Sequence, residues 1–230
     1  MATDLTLSTI ARKYGTDKVT HGFTELYEYH LQSKREHYIS VLEIGVFFGA
    51  SIKMWKEYFP NATIYGADTF SGKQGNGTVF QNADAYYCEW ESCPDERIKL
   101  VRLDQSDEQQ LKSFVEKCKA DGVKFNLIVD DGSHLMRDQQ LTFAYLFELL
   151  EAGGVYIIED IHTSDQSGYD VLPNKSNSTK TMFKLFKNGT PLRTMYFQDT
   201  EKLDEISKSI KSIEPYRVKE GSETMFIFKI

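Results

Sequence analysis

From Ser40 onward the chain alternates short apolar runs with longer amphipathic ones, and this rhythm restricts it to a parallel sheet covered by helices. YISVLEIG is rich in β-branched residues and stops at Gly45. GASIKMWKEYF carries Ile52, Trp55, Tyr58 and Phe59 at helical spacing, and Pro60 ends it. ATIYGAD, IKLVRLD, FNLIVDD and VYIIEDIH read as the second to fifth strands. DEQQLKSFVEKCKADG begins with acids and is followed by Gly122, the polarity of a capped helix. LTFAYLFELLEAGG reads as an apolar helix stopped by its glycine pair. KSIKSIEPYRV and ETMFIFKI flank EGS and predict an antiparallel hairpin that completes the sheet. The expected fold class is α/β, doubly wound and Rossmann-like.

At 230 residues, 40% of them hydrophobic, the chain can bury a full core and is expected to form one domain over 1–230. Residues 1–35 read as a helical cap of two helices joined by YGTDKVTHG, and 36–230 as the Rossmann-like core. The stretches 70–97 and 161–180 fall outside the strand–helix rhythm and read as functional loops. A net charge of -7 and a pI near 5.3, with Lys and Arg scattered, argue against nucleic acid as a partner. Cys88, Cys93 and Cys118 form no CxxC pair, which points to a reducing compartment. MATDLTLSTIARKYG has no apolar leader core, and no run is long enough to span a bilayer, so a cytoplasmic protein away from membranes is expected. The sequence leaves the oligomeric state open, and a homo-oligomer is compatible with it.

Ligands of an open parallel α/β sheet bind at the carboxyl ends of its strands. Here those ends bring Glu43 and Gly45, then Asp68, Asp104, Asp130 with Asp131, and Glu159 with Asp160. A lone acid at such an edge is more often a helix cap or a solvated loop residue, whereas acids recurring at one edge point to a binding site. The stretch from Glu43 to Ser51, EIGVFFGAS, has the shape of a nucleoside-binding turn, and an acid at the position of Asp68 can accept both hydroxyls of a ribose. Phe47 occupies the middle glycine position of a dinucleotide fingerprint, so Gly45 and Gly49 suit a pyrophosphate poorly. The same two glycines also fit a purely packing role.

Asp131, Glu159 and Asp160 lie at the ends of consecutive strands, where neighbouring carboxylates repel unless a hard divalent cation joins them. An oxygen-only set favours Mg²⁺, Ca²⁺ or Mn²⁺ over zinc. His134 is placed to take a proton from a substrate held nearby, although alone it would read as a capping or packing histidine.

YGTDK with the following His21, VLEIGVFFGAS, YFPNATIYGAD, IVDDGSH and GGVYIIEDIHTS resemble the metal-dependent class I S-adenosylmethionine methyltransferases that O-methylate sugars in macrolide and other natural-product pathways. The matching stretches run from Tyr14 to Ser164. The resemblance implies a seven-stranded, mostly parallel sheet with an antiparallel last strand. It also implies S-adenosyl-L-methionine as donor, Mg²⁺ as metal and a sugar as acceptor. Glu43, Gly45, Gly49 and Ser51 would shape the methionine half of the donor site, with Tyr14, Thr16, Asp17 and Lys18 closing over it. Asp68 would hold the ribose, Asp104 and Gln105 would sit near the adenine, and Asp130 would lie near the sulfonium. Asp131, Glu159 and Asp160 would carry Mg²⁺, and His134 would be the general base. Nothing in 70–97 aligns with the family, which leaves the acceptor open; Tyr86, Tyr87 and Trp90 could stack on a sugar or only cover the site. His162, two residues past the metal pair, fits either a substrate contact or a loop cap, the second being preferred, and Lys73, Arg97 and Arg137 are unranked polar contacts. Three alternatives remain: a non-sugar diol or antibiotic scaffold as acceptor, a nicotinamide-dependent oxidoreductase, and a non-catalytic binding module.

Overall fold

The structure, a computed structural model, describes residues 5–71 and 95–230. Tyr86, Tyr87, Trp90, Lys73, Cys88 and Cys93, with most of the expected 70–97 loop, lie outside the described residues. The chain divides into two compact units, Met1–Arg102 with Val218–Glu220, and Leu103–Arg217 with Gly221–Ile230.

In the first unit, helix α1 (Leu7–Tyr14) starts where the Thr6 side chain accepts the Thr9 N–H, and it stops at Gly15, whose φ of 72° lets the chain turn back on the last carbonyls. A short helix α2 (Lys18–His21) lies within YGTDKVTHG, where the sequence suggested only a connection. It forms because the Asp17 carbonyl accepts the N–H groups of Thr20 and His21, and it closes at Gly22. Helix α3 (Phe23–Leu31) buries Phe23, Tyr27 and Leu31, four residues apart on one face, and the Tyr27 ring packs against Trp55 with centroids 5.5 Å apart.

Three parallel strands follow, in the order 3-2-1: β1 (Ser40–Ile44), β2 (Thr63–Asp68) and β3 (Ile98–Arg102). Helix α4 (Ala50–Tyr58) links β1 to β2 and buries Ile52, Met54, Trp55 and Tyr58. Its carboxyl end is held by the Arg97 guanidinium, which donates to the carbonyls of Lys56, Phe59, Pro60 and Ala62. Arg97, an unranked polar contact in the sequence, is therefore a helix cap. Gly66 pairs with Glu43 on one side and Leu100 on the other. A Cβ there would lie 2.8 Å from both Leu100 Cδ2 and Val46 Cγ2.

In the second unit, four strands run in the order 4-5-7-6: β4 (Phe125–Asp130), β5 (Leu150–Ile158), β6 (Ile210–Arg217) and β7 (Glu223–Lys229). β4 and β5 are parallel, and β7 is antiparallel to both β5 and β6, as the expected hairpin requires. The seven strands and their directions are those of the class I methyltransferase fold. Helix α5 (Glu108–Ala120) is capped by the Asp107 carboxylate, which accepts from Gln109 and Gln110. Helix α6 (Met136–Leu146) ends eight residues before the glycine pair expected to stop it is passed. A 3-10 turn (Phe147–Leu149) leads straight into β5, and the Lys229 ammonium donates to the carbonyls of Phe147, Glu148 and Leu150, the stretch into which a longer helix would have run. Helices α7 (Thr179–Lys187) and α8 (Thr200–Ser209) complete the unit. No described helix is long and apolar enough to cross a membrane.

Gly66→Ala is expected to lower stability by about 1–3 kcal/mol, because two packed side chains must move to admit one methyl. Urea unfolding measures the loss.

Candidate functional site

The first unit presents the glycine turn between β1 and α4. Gly45 (φ 90°) donates to the Ala67 carbonyl at 2.9 Å, and Gly49 (φ 74°) donates to the Val46 carbonyl at 2.8 Å. Phe47 also has a left-handed backbone (φ 49°). What holds it there is Asp68, whose Oδ2 accepts the N–H groups of Val46 (2.8 Å) and Phe47 (3.1 Å). Its Oδ1 accepts from Phe70 at 2.9 Å. The acid at the end of β2 thus clamps the turn at the end of β1. Ser51 is buried one residue into α4.

Lys18 and Glu43 form an ion pair at 3.1 Å with both side chains almost wholly buried. This ties the YGTDK segment to the carboxyl-terminal part of β1. Thr16 accepts from the Lys18 N–H at 3.4 Å. The Tyr14 hydroxyl donates to Glu57 Oε2 at 2.6 Å, so its polar end is engaged on α4.

In the second unit, Asp104 folds back on the chain and accepts from the Ser106 N–H and hydroxyl. Gln105 is buried, and both ends of its amide are engaged within the protein. Its oxygen accepts the Ser133 N–H at 2.6 Å, and its nitrogen donates to Asp130 Oδ1 (3.3 Å) and Thr142 Oγ1 (3.1 Å). Gly132 makes this approach feasible, since a Cβ there would fall 1.8 Å from the Gln105 oxygen. Asp130 is 1% exposed, and burial pushes its carboxyl up to about 7, with the charges of Asp131 and Asp138 adding to the rise. The Tyr156 hydroxyl lies 3.5 Å from Asp130 Oδ2.

Beyond Asp130 the acids converge. Ligand atoms of Asp131, His134 and Asp160 lie within 4.8 Å of one another, and carboxylate oxygens of Asp131 and Glu159 also lie within 4.8 Å of each other. Asp160 has an imidazole on each side: His134 Nε2 is 3.7 Å from Oδ2, and His162 Nδ1 is 3.7 Å from Oδ1. His162, for which the sequence favours a loop cap over a substrate contact, therefore faces the acid cluster. His134 (φ 59°) and Asp160 (φ 51°) both take left-handed backbones, which non-glycine residues adopt at a cost of roughly 1–3 kcal/mol each. Asp160 Oδ1 and His134 Nδ1 are shielded from solvent and have no hydrogen-bond partner among the described residues. Oxygen and nitrogen donors this close, one of them an orphaned carboxylate oxygen, fit a hard or borderline divalent cation.

The loop carrying His134 is secured from a distant part of the chain. Helix α6 begins at Met136 without a capping side chain of its own. Asp170 supplies one: its carboxylate accepts the N–H groups of Met136 (2.7 Å) and Arg137 (3.2 Å). The Asn177 side chain grips the Asp170 carbonyl at 2.8 Å. Ser133, before His134, donates to Asp138 at 2.7 Å. Arg137 donates to the Ser106 carbonyl, which accounts for the second unranked cation. Asp170 was missed because nothing local in GYDVLPN announces a cap for a helix that starts at Met136.

No protein-family model matches the chain. It is 31% identical over 172 residues to the L-olivosyl-oleandolide 3-O-methyltransferase of Streptomyces antibioticus, which covers 71% of this chain and 39% of that protein. It is 30% identical over 192 residues to the mycinamicin VI 2''-O-methyltransferase of Micromonospora griseorubida, covering 79% and 42%. The chain spans only 39% to 43% of the length of the first three curated relatives it matches. Among solved structures it matches MycE methyltransferase from the mycinamycin biosynthetic pathway, in complex with Mg, SAH and mycinamycin VI. That match has a TM-score of 0.73 and 24% identity over 98% of this chain and 54% of the other. A second crystal form of MycE with Mg and SAH gives 0.71 and 25%, covering 98% and 53%.

Asp170→Ala is expected to destabilise the protein by at least about 1 kcal/mol, the ordinary loss of a helix cap, and chemical denaturation measures it.

Proposed function

We propose that this chain, a homologue of the sugar O-methyltransferases of antibiotic pathways, transfers the methyl group of S-adenosyl-L-methionine to a hydroxyl of a sugar. The observation that carries the reading is the convergence of Asp131, His134, Asp160 and Glu159 at the ends of β4 and β5. The activities of the relatives support an O-methyl transfer to a sugar, and the MycE complex supports the pair Mg and SAH-type ligand.

On the donor side we assign the turn from Glu43 to Ser51, with Gly45 and Gly49, to the methionine half, and Asp68 to the ribose hydroxyls. Lys18 anchors the YGTDK segment on Glu43, and Tyr14 and Thr16 belong to that segment. Asp104, Gln105 and Asp130 are assigned to the adenine and sulfonium end. Gln105 acts there through its grip on Ser133 and Asp130. On the acceptor side, Asp131, Glu159 and Asp160 would hold Mg²⁺. When bound, that cation supplies Lewis acidity toward the acceptor oxygen.

A sugar hydroxyl is a poor nucleophile because it holds its proton tightly at neutral pH. In the transfer, a C–O bond forms as the C–S bond breaks, and the C–S electron pair stays on sulfur. The hydroxyl proton passes to the His134 imidazole, and the resulting cation lies beside the Asp160 carboxylate, whose Oδ2 is 3.7 Å from Nε2. A second reading has its own support: the His134 nitrogen is close enough to both carboxylates to be a metal ligand instead of a base. The NAD-dependent alternative has no comparable support, since Phe47 stands where a dinucleotide turn has glycine.

Methyl transfer from labelled S-adenosyl-L-methionine to a panel of deoxysugar glycosides tests the reading. Product is expected with Mg²⁺ and none after chelation; turnover indifferent to EDTA would remove the metal from the mechanism. His134→Ala is expected to lower kcat by roughly 10²- to 10⁴-fold while calorimetry shows unchanged affinity for S-adenosylhomocysteine. Loss of Mg²⁺ affinity in the same variant would select the ligand role for His134.

A further inference from the structure

His134 and Asp160 stand on separate loops, each with a left-handed backbone, and the separation of their side chains depends on how those loops are joined. The joint is Thr163, 2% exposed on the short 3-10 turn Ile161–Asp165 that follows β5. Its Oγ1 lies 3.1 Å from the His134 carbonyl oxygen and 2.9 Å from that of Asp160. The Asp160 carbonyl already accepts the Thr163 N–H at 3.0 Å. The hydroxyl is within donating distance of both carbonyls, and because the N–H already ties Thr163 to Asp160, its reach to His134 lets one residue bond the backbones of both site residues. The hydroxyl touches neither side chain of the cluster, and its reach is through the backbone alone.

We infer that Thr163 is a positioning residue: its hydroxyl sets the distance between the His134 imidazole and the Asp160 carboxylate, and through it the affinity of the site for a divalent cation. The inference rests on the proposed role of those two side chains. A threonine hydroxyl is suited to this because it is short and conformationally restricted, so it fixes a carbonyl closely. Valine at the same place keeps the shape and removes the donor. Serine keeps the donor and removes only a methyl.

The test compares Thr163→Val and Thr163→Ser with the parent. Mn²⁺ binding is followed by electron paramagnetic resonance without donor or acceptor, and kcat and KM are measured separately. Thr163→Val is expected to weaken Mn²⁺ binding or lower kcat by roughly 10- to 100-fold, the usual effect of losing a residue that orients metal ligands, with KM for the donor unchanged. Thr163→Ser is expected to restore both. Thr163→Ala replaces the valine variant should that one fail to fold. Parent-like Mn²⁺ affinity and kcat in the variant lacking the hydroxyl, or a serine variant as impaired as the valine one, overturns the inference alone. A parent protein that binds no Mn²⁺ overturns the reading of the site, and the inference falls with it.

Discussion

The mutual repulsion of carboxylates at the ends of β4 and β5 is the constraint around which the second unit is organised. Two unit charges within 4.8 Å of each other repel by on the order of 3 kcal/mol at an effective dielectric near 20. Asp131 meets this condition with both Asp160 and Glu159. The strain of two left-handed residues, His134 and Asp160, adds to it. An arrangement this unfavourable persists only where the surrounding structure over-determines it. Here the Gln105 amide, the Ser133–Asp138 bond, the Asp170 cap and the Thr163 hydroxyl all bear on the same two loops.

The first unit solves a different problem, that of holding a bare backbone turn open. Asp68 does so with its carboxylate, which accepts from Val46 and Phe47 and keeps Phe47 in a conformation that bulky residues avoid. The buried Lys18–Glu43 pair then anchors the amino-terminal helices to β1. Such a pair is a poor source of stability, because both charges are stripped of water. It is a strong source of placement, because either partner left alone would be an uncompensated buried charge.

Several features were legible before any coordinates because they are written in local chemistry. The strand–helix alternation follows from hydrophobic period, and the hairpin of β6 and β7 from two β-rich runs around EGS. The end of α6 was misjudged for an equally physical reason. The glycine pair at Gly153 and Gly154 lies inside β5, and Lys229, far along the chain, binds the carbonyls of Phe147, Glu148 and Leu150 just past the end of the helix. The helix α2 was hidden because four residues carry too little period to register. The resemblance places Tyr14 and Gln105 at the donor site; the structure adds that their polar atoms are engaged by Glu57 and by Ser133, Asp130 and Thr142, which no local pattern reveals.

By itself the sequence determined which chemical groups reach the carboxyl edge, since strand period and strand ends settle that Asp68, Asp131, Glu159 and Asp160 emerge there. Only the tertiary structure decided how they are aimed. It set His134 against Asp160, brought His162 to the other side of the same carboxylate, and recruited Asp170 and Thr163 to hold the two loops. The physical reason is one of range: periodicity and breakers act over a few residues, whereas hydrogen bonds that hold a strained loop join backbone groups that only folding brings within 3 Å or so of each other.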